Sequence, residues 1–483
     1  MPNSFASLDP RPALSPLDGR YSAVAAPLLD YLSEPALNRA RLLVEVEWFI
    51  WLLDQRVLPG TPDLSEQDKS YLRGVVASFG ADQIAELAEI ERETVHDVKA
   101  VEYFLQRRLA CAPAVLGLDT VLGPQLAPAI HFALTSEDVN SLAYALAVKG
   151  AIQNVWLPTA WSVTDDLAEM ARTASGMPML SRTHGQPATP TTLGKELAVM
   201  AHRLRRQLGR VERAEYLAKL NGATGTYGAH AAAAPKVDWP AVSREFVEAL
   251  GLGWNPLTTQ IESHDWQSEL YADVARFGRV LHNVATDLWT YISLGYFKQA
   301  RGHGTVGSST MPHKVNPIRF ENAEANLELS AALLDTLAAT LVTSRLQRDL
   351  TDSTTQRNIG VALGHSLLAV DNVRRGLAGL DIDADALAAD LAANPEVLAE
   401  PIQSAMRAAA LAGVPGMDQP YERLKELTRG RRVSLAQVRE FVDGLGLPND
   451  AAARLRALSP ATYTGLAAQL VERYLDPAGG KDG

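Results

Sequence analysis

The stretch Trp266–Leu294, WQSELYADVARFGRVLHNVATDLWTYISL, decides the fold class. It contains no proline, and Leu270, Val274, Phe277, Leu281, Val284, Leu288 and Tyr291 fall at alternating steps of four and three. That spacing puts them on one seam of a helix long enough to pack lengthwise against others. A second segment repeats the pattern with Leu193, Leu197, Met200, Leu204, Leu208 and Val211. Ahead of it stand Thr189, the expected N-cap, and Pro190, the expected first helical residue. A third carries Phe320, Leu327, Leu334 and Leu341 at intervals of seven. With the apolar stretches Leu142–Ala174 and Ile359–Val373, these predict a central bundle of about five long helices. Pro158 is expected to kink the first of these stretches.

Runs with alternating β-branched residues are nearly absent, so an all-α fold with little strand follows. Breaks at Pro59-Gly60-Thr61-Pro62 and around Pro113 mark shorter helices early in the chain, and turns at Gly413–Gly416 and Gly444–Asn449 do so late. The expected organisation is an N-terminal helical domain over 1–123, a central long-helix bundle over 124–374 and a C-terminal helical domain over 375–483. Seams this long favour self-association.

Composition narrows the function. The 483 residues carry 45 Lys plus Arg against 56 Asp plus Glu, a net charge of −11 that repels polyanions, so no nucleic-acid partner is expected. Hydrophobic residues at 47% and charged residues at 21% are ordinary for a globular protein. One cysteine, Cys111, allows neither an internal disulfide nor a cysteine-based zinc cage, which fits a reducing cytoplasm. The opening residues lack a secretory signal pattern, and no stretch approaches the roughly 18 uninterrupted apolar residues of a membrane span.

Gly302-His-Gly304-Thr-Val-Gly307 matches G-x-G-x-x-G, but a long amphipathic segment precedes it where a dinucleotide fingerprint needs a strand. It reads instead as a glycine-rich loop suited to closing over a ligand. The loop continues through Ser308, Ser309, Lys314 and Asn316. Hydroxyls, an ammonium and an amide on one short segment can bind a carboxylate, although an exposed polar turn is the ordinary reading of such a composition. His184 lies in Ser181–Pro190, between two long helices. Thr94 with Asp97 matches a capping box, which would put His96 in the first turn of a helix. Thr135-Ser-Glu-Asp138 is a second capping box, opening a long helix whose exposed amides could share a carboxylate. Arg348–Arg357 packs two arginines and four hydroxyls into ten residues, either an anion pocket or an exposed polar connection. No H-E-x-x-H or paired Cys/His spacing occurs, so no metal is expected.

The segment Ser308–Pro317 resembles the signature of the fumarase/aspartase superfamily, helical tetramers that eliminate fumarate or reverse that reaction. Further segments are similar to the bacterial adenylosuccinate lyase family: Pro16–Tyr21, His96–Phe104, Thr135–Asn140, Ser181–Pro190, Trp254–Gln260 and Arg348–Asn358. The resemblance runs from about residue 14 to about residue 475. It implies a carbon–nitrogen lyase without cofactor that releases fumarate from adenylosuccinate and from the succinyl-carboxamide ribotide of purine synthesis. Carried over residue by residue, Ser308 would be the general base and His184 the general acid. Thr135, Ser136, Ser309, Lys314 and Asn316 would hold the fumaryl carboxylates, with His96 and Asp97 beside them. Arg20, Tyr21, Ser353 and Arg357 would take the phosphate, and Gln260, Asn322 and Arg348 other parts of the nucleotide. Glu321 would orient Lys314 or His184 from behind. Sites of this family draw on three subunits, so a homotetramer whose core is the bundle is implied. One departure stands out: close members often carry asparagine before the His-Asp pair, where this chain has Val95. Carboxymuconate cycloisomerase, argininosuccinate lyase and structural crystallins are the rival readings, and Arg20-Tyr21 with Ser353–Arg357 favours a phosphorylated substrate.

Overall fold

The computed structural model describes residues 14–117, 119–299, 311, 314–428 and 433–475. The first ten helices are α1 (Ser22–Leu32), α2 (Glu34–Asp54), α3 (Glu66–Ala77), α4 (Ala81–Thr94), α5 (Asp97–Leu116), α6 (Ser136–Ala151), α7 (Leu157–Thr173), α8 (Leu193–Val211), α9 (Gly228–Ala233) and α10 (Trp239–Ala249). They are followed by α11 (Asp265–Ser293), α12 (Ile318–Leu341), α13 (Thr351–Gln356), α14 (Ile359–Leu377), α15 (Ala384–Ala392) and five shorter helices from Ala399 to Leu475. Strands are short and pair in twos: β1 (Pro178–Thr183) with β2 (Gln186–Thr192), β3 (Leu217–Ala218) with β4 (Gly253–Trp254), and β5 (Phe297–Gln299) with β6 (Leu380–Ile382). The fold is all-α, with its long helices where the seams predicted them. Leu270, Val274, Phe277, Leu281, Val284 and Leu288 are buried along α11, as are Phe320, Leu327, Leu334 and Leu341 along α12. No helix among the described residues is long and apolar enough to cross a membrane.

The chain forms two compact units. The first comprises Met1–Ala160, Gln207–Arg279 and Ala325–Asp371; the second comprises Trp161–Arg206, Val280–Glu324 and Asn372–Gly483. In the first, α2 is largely enclosed, with Trp48, Phe49, Leu52 and Leu53 buried and Trp48 edge-on to Phe246 at 5.1 Å. Here α11 and α12 run antiparallel: Ser268 Oγ donates to the Ala338 carbonyl at 2.9 Å, and Leu327 packs over Gly278. A π turn at Ile152–Trp156 joins α6 to α7 just before Pro158, re-routing the hydrogen bonds that a proline nitrogen cannot complete. In the second unit the same two helices pair through Thr286 to Glu324 at 2.7 Å and Trp289 to Glu321 at 3.1 Å. Its late helices enclose a cluster of Leu398, Ile402, Met406, Met417, Val438 and Val442.

Two local expectations are corrected. Thr189 and Pro190 do not cap and open α8; both lie in β2, with Pro190 opposite Leu180, and the helix starts at Leu193. Thr192 supplies the cap, its Oγ1 accepting from Lys195 N–H at 3.2 Å. Thr-Pro-Thr-Thr is as compatible with an extended segment as with a helix start, and pairing with β1 decides. His96 is not in the first turn of α5 but is its N-cap, with Nδ1 accepting from Lys99 N–H at 3.1 Å. The helix before it runs through Thr94, so Thr94 cannot cap the next one.

Val95 joins those two helices in the left-handed conformation, φ 52° and ψ 31°, and the residue is 89% exposed. A β-branched residue there is strained, and left-handed backbone costs L-residues about 1–2 kcal/mol. Val95→Asn loses almost no burial and suits that conformation better. It is expected to raise the unfolding free energy by about 1 kcal/mol in urea titrations; an unchanged or lower value would contradict the strain.

Candidate active site

In the first unit, residues singled out in distant segments meet in one chain of hydrogen bonds and ion pairs. Asp97, first residue of α5, receives Arg41 at 2.8 Å and Arg357 at 3.6 Å, and Arg357 also reaches Glu34 at 3.1 Å. Arg41 Nε donates to Asn140 Oδ1 at 2.9 Å, and Asn140 Nδ2 to Glu137 Oε1 at 2.8 Å. Arg348 then bonds the same Glu137 oxygen at 2.8 Å and donates to Ser353 Oγ at 3.1 Å. Burial alone would raise the Asp97 pKa, but Arg41, the Val98 N–H and His96 outweigh it and hold the carboxyl below its ordinary value. Asp97 therefore stays ionised and fixes two guanidinium groups.

The start of α6 is fixed from below. Asp138, fully buried, accepts from Thr135 N–H at 2.8 Å, Asn221 N–H at 3.0 Å and Gly222 N–H at 3.1 Å, and pairs with the buried Lys219 ammonium at 2.7 Å. That leaves Thr135 and Ser136 at the open positive end of the helix. Asn221 Nδ2 donates to Thr258 Oγ1 at 2.7 Å, tying in the loop that carries the half-buried Gln260. Gly225 makes this approach possible: at φ 74°, a Cβ there would lie 2.2 Å from the Thr258 carbonyl oxygen. His96 is exposed at the head of α5. Arg20 is exposed at the start of α1, its guanidinium 5.9 Å from the Tyr21 ring. This network of hydrogen bonds and ion pairs thus brings together Asp97, Arg348, Ser353 and Arg357, and runs through Glu137 beside Thr135 and Ser136; Gln260 lies on the loop held by Asn221, and Arg20 and Tyr21 directly precede α1.

The second unit holds His184. Strands β1 and β2 close through His184 and Gly185, whose φ values of 54° and 75° meet the demand of a type I′ turn for positive φ at both central residues. The imidazole stands exposed at the tip of a two-stranded hairpin rather than in the plain loop expected. Two residues back, Arg182 forms a fork with Asp390 at 2.7 and 3.0 Å and donates to the Tyr296 hydroxyl at 3.0 Å. Lys314 is exposed and Asn316 and Asn322 half-buried. Glu321 accepts from Trp289 Nε1 at 3.1 Å and pairs with neither Lys314 nor His184 among the described residues. Gln299 Nε2 donates to the Val315 carbonyl at 2.8 Å. Ser308 and Ser309 lie outside the described residues.

Comparison with known proteins gives these positions a context. Residues 19–329 match the family model described as Lyase, and residues 344–464 match the model described as Adenylosuccinate lyase C-terminal. The chain is 47% identical over 460 residues to the adenylosuccinate lyase of Escherichia coli, covering 95% of this chain and 98% of that protein. It is 47% identical over 461 residues to that of Haemophilus influenzae, with the same coverage. The chain belongs to the adenylosuccinate lyase family. The Legionella pneumophila member is 45% identical over 464 residues, 96% of this chain and 98% of its own.

Solved structures support the fold. A fumarate lyase from Mesorhizobium sp. BNC1 superposes with a TM-score of 0.73 at 18% identity, covering 93% of this chain and 97% of that one. The 3-carboxy-cis,cis-muconate lactonizing enzyme from Pseudomonas putida gives 0.69 at 20% identity, covering 93% and 96%. The Thr135–Asp138 capping box read from the sequence is present, but sequence reading missed Arg41, Lys219 and Asn221, which brace the adenylosuccinate lyase motifs through Asn140 and Asp138. Asn221-Gly-Ala-Thr-Gly225, two glycines in a polar turn beside the buried Lys219, was the available signal.

Proposed function

We propose that this carbon–nitrogen lyase converts adenylosuccinate to AMP and fumarate, and the succinyl-carboxamide ribotide to its carboxamide and fumarate. The observation that carries the reading is near-full-length 47% identity to proteins of that name. Its physical counterpart is the chain of bonds that holds Arg348, Ser353 and Arg357 in one place.

The elimination removes a proton from the carbon beside a carboxylate, so negative charge builds on that carboxylate as the transition state forms. Preorganised donors must meet it. Thr135 and Ser136 at the α6 end, with Ser309, Lys314, Asn316 and His96, fit that role, and Asp97 keeps the arginines in place. Ser308 takes the proton, its alkoxide balanced by the Lys314 ammonium. His184 gives a proton to the departing nitrogen. Arg357 is about half exposed and paired with an exposed Glu34, a partner that a substrate phosphate can displace; Arg20, Tyr21 and Ser353 complete that subsite. Gln260, Asn322 and Arg348 contact the rest of the nucleotide, and Glu321 supports Lys314 or His184 when substrate is bound.

The residues proposed for this site come from segments far apart in the sequence. A homotetramer in which copies share sites is the arrangement we propose, with the partition 1–123, 124–374 and 375–483 as its building plan and the cytoplasm as its place. Loss of adenylosuccinate absorbance, measured beside turnover of argininosuccinate and carboxymuconate, tests the substrate. Activity confined to adenylosuccinate and the succinyl ribotide is expected; none on adenylosuccinate would overturn the reading.

A further inference from the structure

We propose that His131, held between Glu45 and Glu102, is a positioning residue that sets the Thr135–Ser136 edge for a succinyl carboxylate. This rests on the reading of Thr135 and Ser136 given above. The segment from His131 to Leu134 leads directly into α6 and is strained: His131 and Ala133 both adopt φ near the left-handed minimum, 56° and 58°. Non-glycine residues stay there only where their surroundings over-determine the backbone.

The surroundings do so from several elements. From α2, Glu45 Oε1 lies 2.6 Å from His131 Nδ1, and Trp48 Nε1 donates to the Phe132 carbonyl at 3.2 Å. From α5, Glu102 Oε1 lies 3.8 Å from His131 Nε2, while Lys99 pairs with the other oxygen of Glu102 at 2.7 Å. From α6, Asp138 adds negative charge and is itself paired with Lys219. Phe132 stacks on Trp239 with ring centroids 6.4 Å apart.

The Glu45 side chain is 0% exposed, and its Oε2 has no hydrogen-bond partner among the described residues. A carboxylate so placed needs the imidazolium, because an unpaired buried charge is costly. Burial pulls the His131 pKa down, but the Glu45 bond and the charges of Glu45, Glu102 and Asp138 prevail and raise it above the ordinary imidazole value. The clamp is complete below that ordinary value and is lost as pH rises through the raised one.

Inhibition by fumarate and by AMP, measured across pH for the wild type and for His131→Gln, Glu45→Gln and Ser136→Ala, tests this. Glu45→Gln keeps the shape of the site if His131→Gln folds poorly. The fumarate inhibition constant is expected to rise about tenfold in all three variants, as for displaced binding groups, with that of AMP unchanged. In the wild type, fumarate binding should weaken as pH rises above the ordinary imidazole range, and this weakening should vanish in His131→Gln. A rise for Ser136→Ala with none for His131→Gln and Glu45→Gln overturns the proposal alone. No rise in any variant overturns the carboxylate reading as well. Equal rises for fumarate and AMP mark a general structural role and also overturn it.

Discussion

Replacing Ser308 or His184 by alanine is expected to lower adenylosuccinate turnover by about two to four orders of magnitude, the usual worth of a general base or acid. The His184 case is the cleaner of the two. Its side chain is exposed at the tip of a hairpin, so truncation removes no buried contact. His184→Asn tolerates the same left-handed backbone and separates lost chemistry from a disturbed turn. Both substitutions should leave the melting temperature nearly unchanged while kcat collapses. The pH dependence of kcat should lose the limb that belongs to the acid. Near-normal turnover in either variant would remove that residue from its role. Arg182 supports the arrangement from behind: its fork to Asp390 keeps that carboxyl below its ordinary pKa and fixes the strand that ends at His184.

The second large effect concerns stability. Lys219→Met should cost about 3–5 kcal/mol of unfolding free energy, the range for breaking a buried ion pair by removing one partner. Lys219 and Asp138 have side chains at 0% exposure and lie 2.7 Å apart. Burial pulls the Lys219 pKa down, and Asp138 restores only part of the loss. Without the ammonium, the Asp138 carboxylate would keep only neutral donors, from Thr135, Asn221 and Gly222. The double variant Asp138→Asn with Lys219→Met should regain part of the loss, because no charge is then stranded. Urea unfolding of the three variants checks both statements, and a loss below about 1 kcal/mol for Lys219→Met would contradict them.

Much of this was legible in the sequence, for definite reasons. The long helices declare themselves because Leu270 through Leu288 and Phe320 through Leu341 repeat at helical spacing, and burial follows that spacing residue by residue. The β1–β2 hairpin escaped because Thr189 and Pro190 also suit a helix start; the clue that could have corrected this is His184-Gly185, a pair suited to positive φ at both positions. His96 was displaced by one step because Thr94 belongs to the preceding helix. Of the residues the motifs proposed for the site, the structure links Asp97, Arg348, Ser353 and Arg357 in one network. Their braces were invisible because they act over long separations: Arg41 reaches Asn140 across 99 residues and Asn221 reaches Asp138 across 83. No local spacing encodes such pairs.

The most direct test of a shared site is complementation. His184→Ala removes the proposed acid, and Arg348→Ala removes a proposed nucleotide contact; each variant alone should be nearly inactive. Fumarate release from adenylosuccinate by a co-expressed mixture of the two is the decisive measurement. A clear regain of activity in mixed assemblies, absent from either variant alone, is the predicted result. Hybrid assemblies that form but remain as inactive as their parents would contradict a site built from more than one copy of the chain.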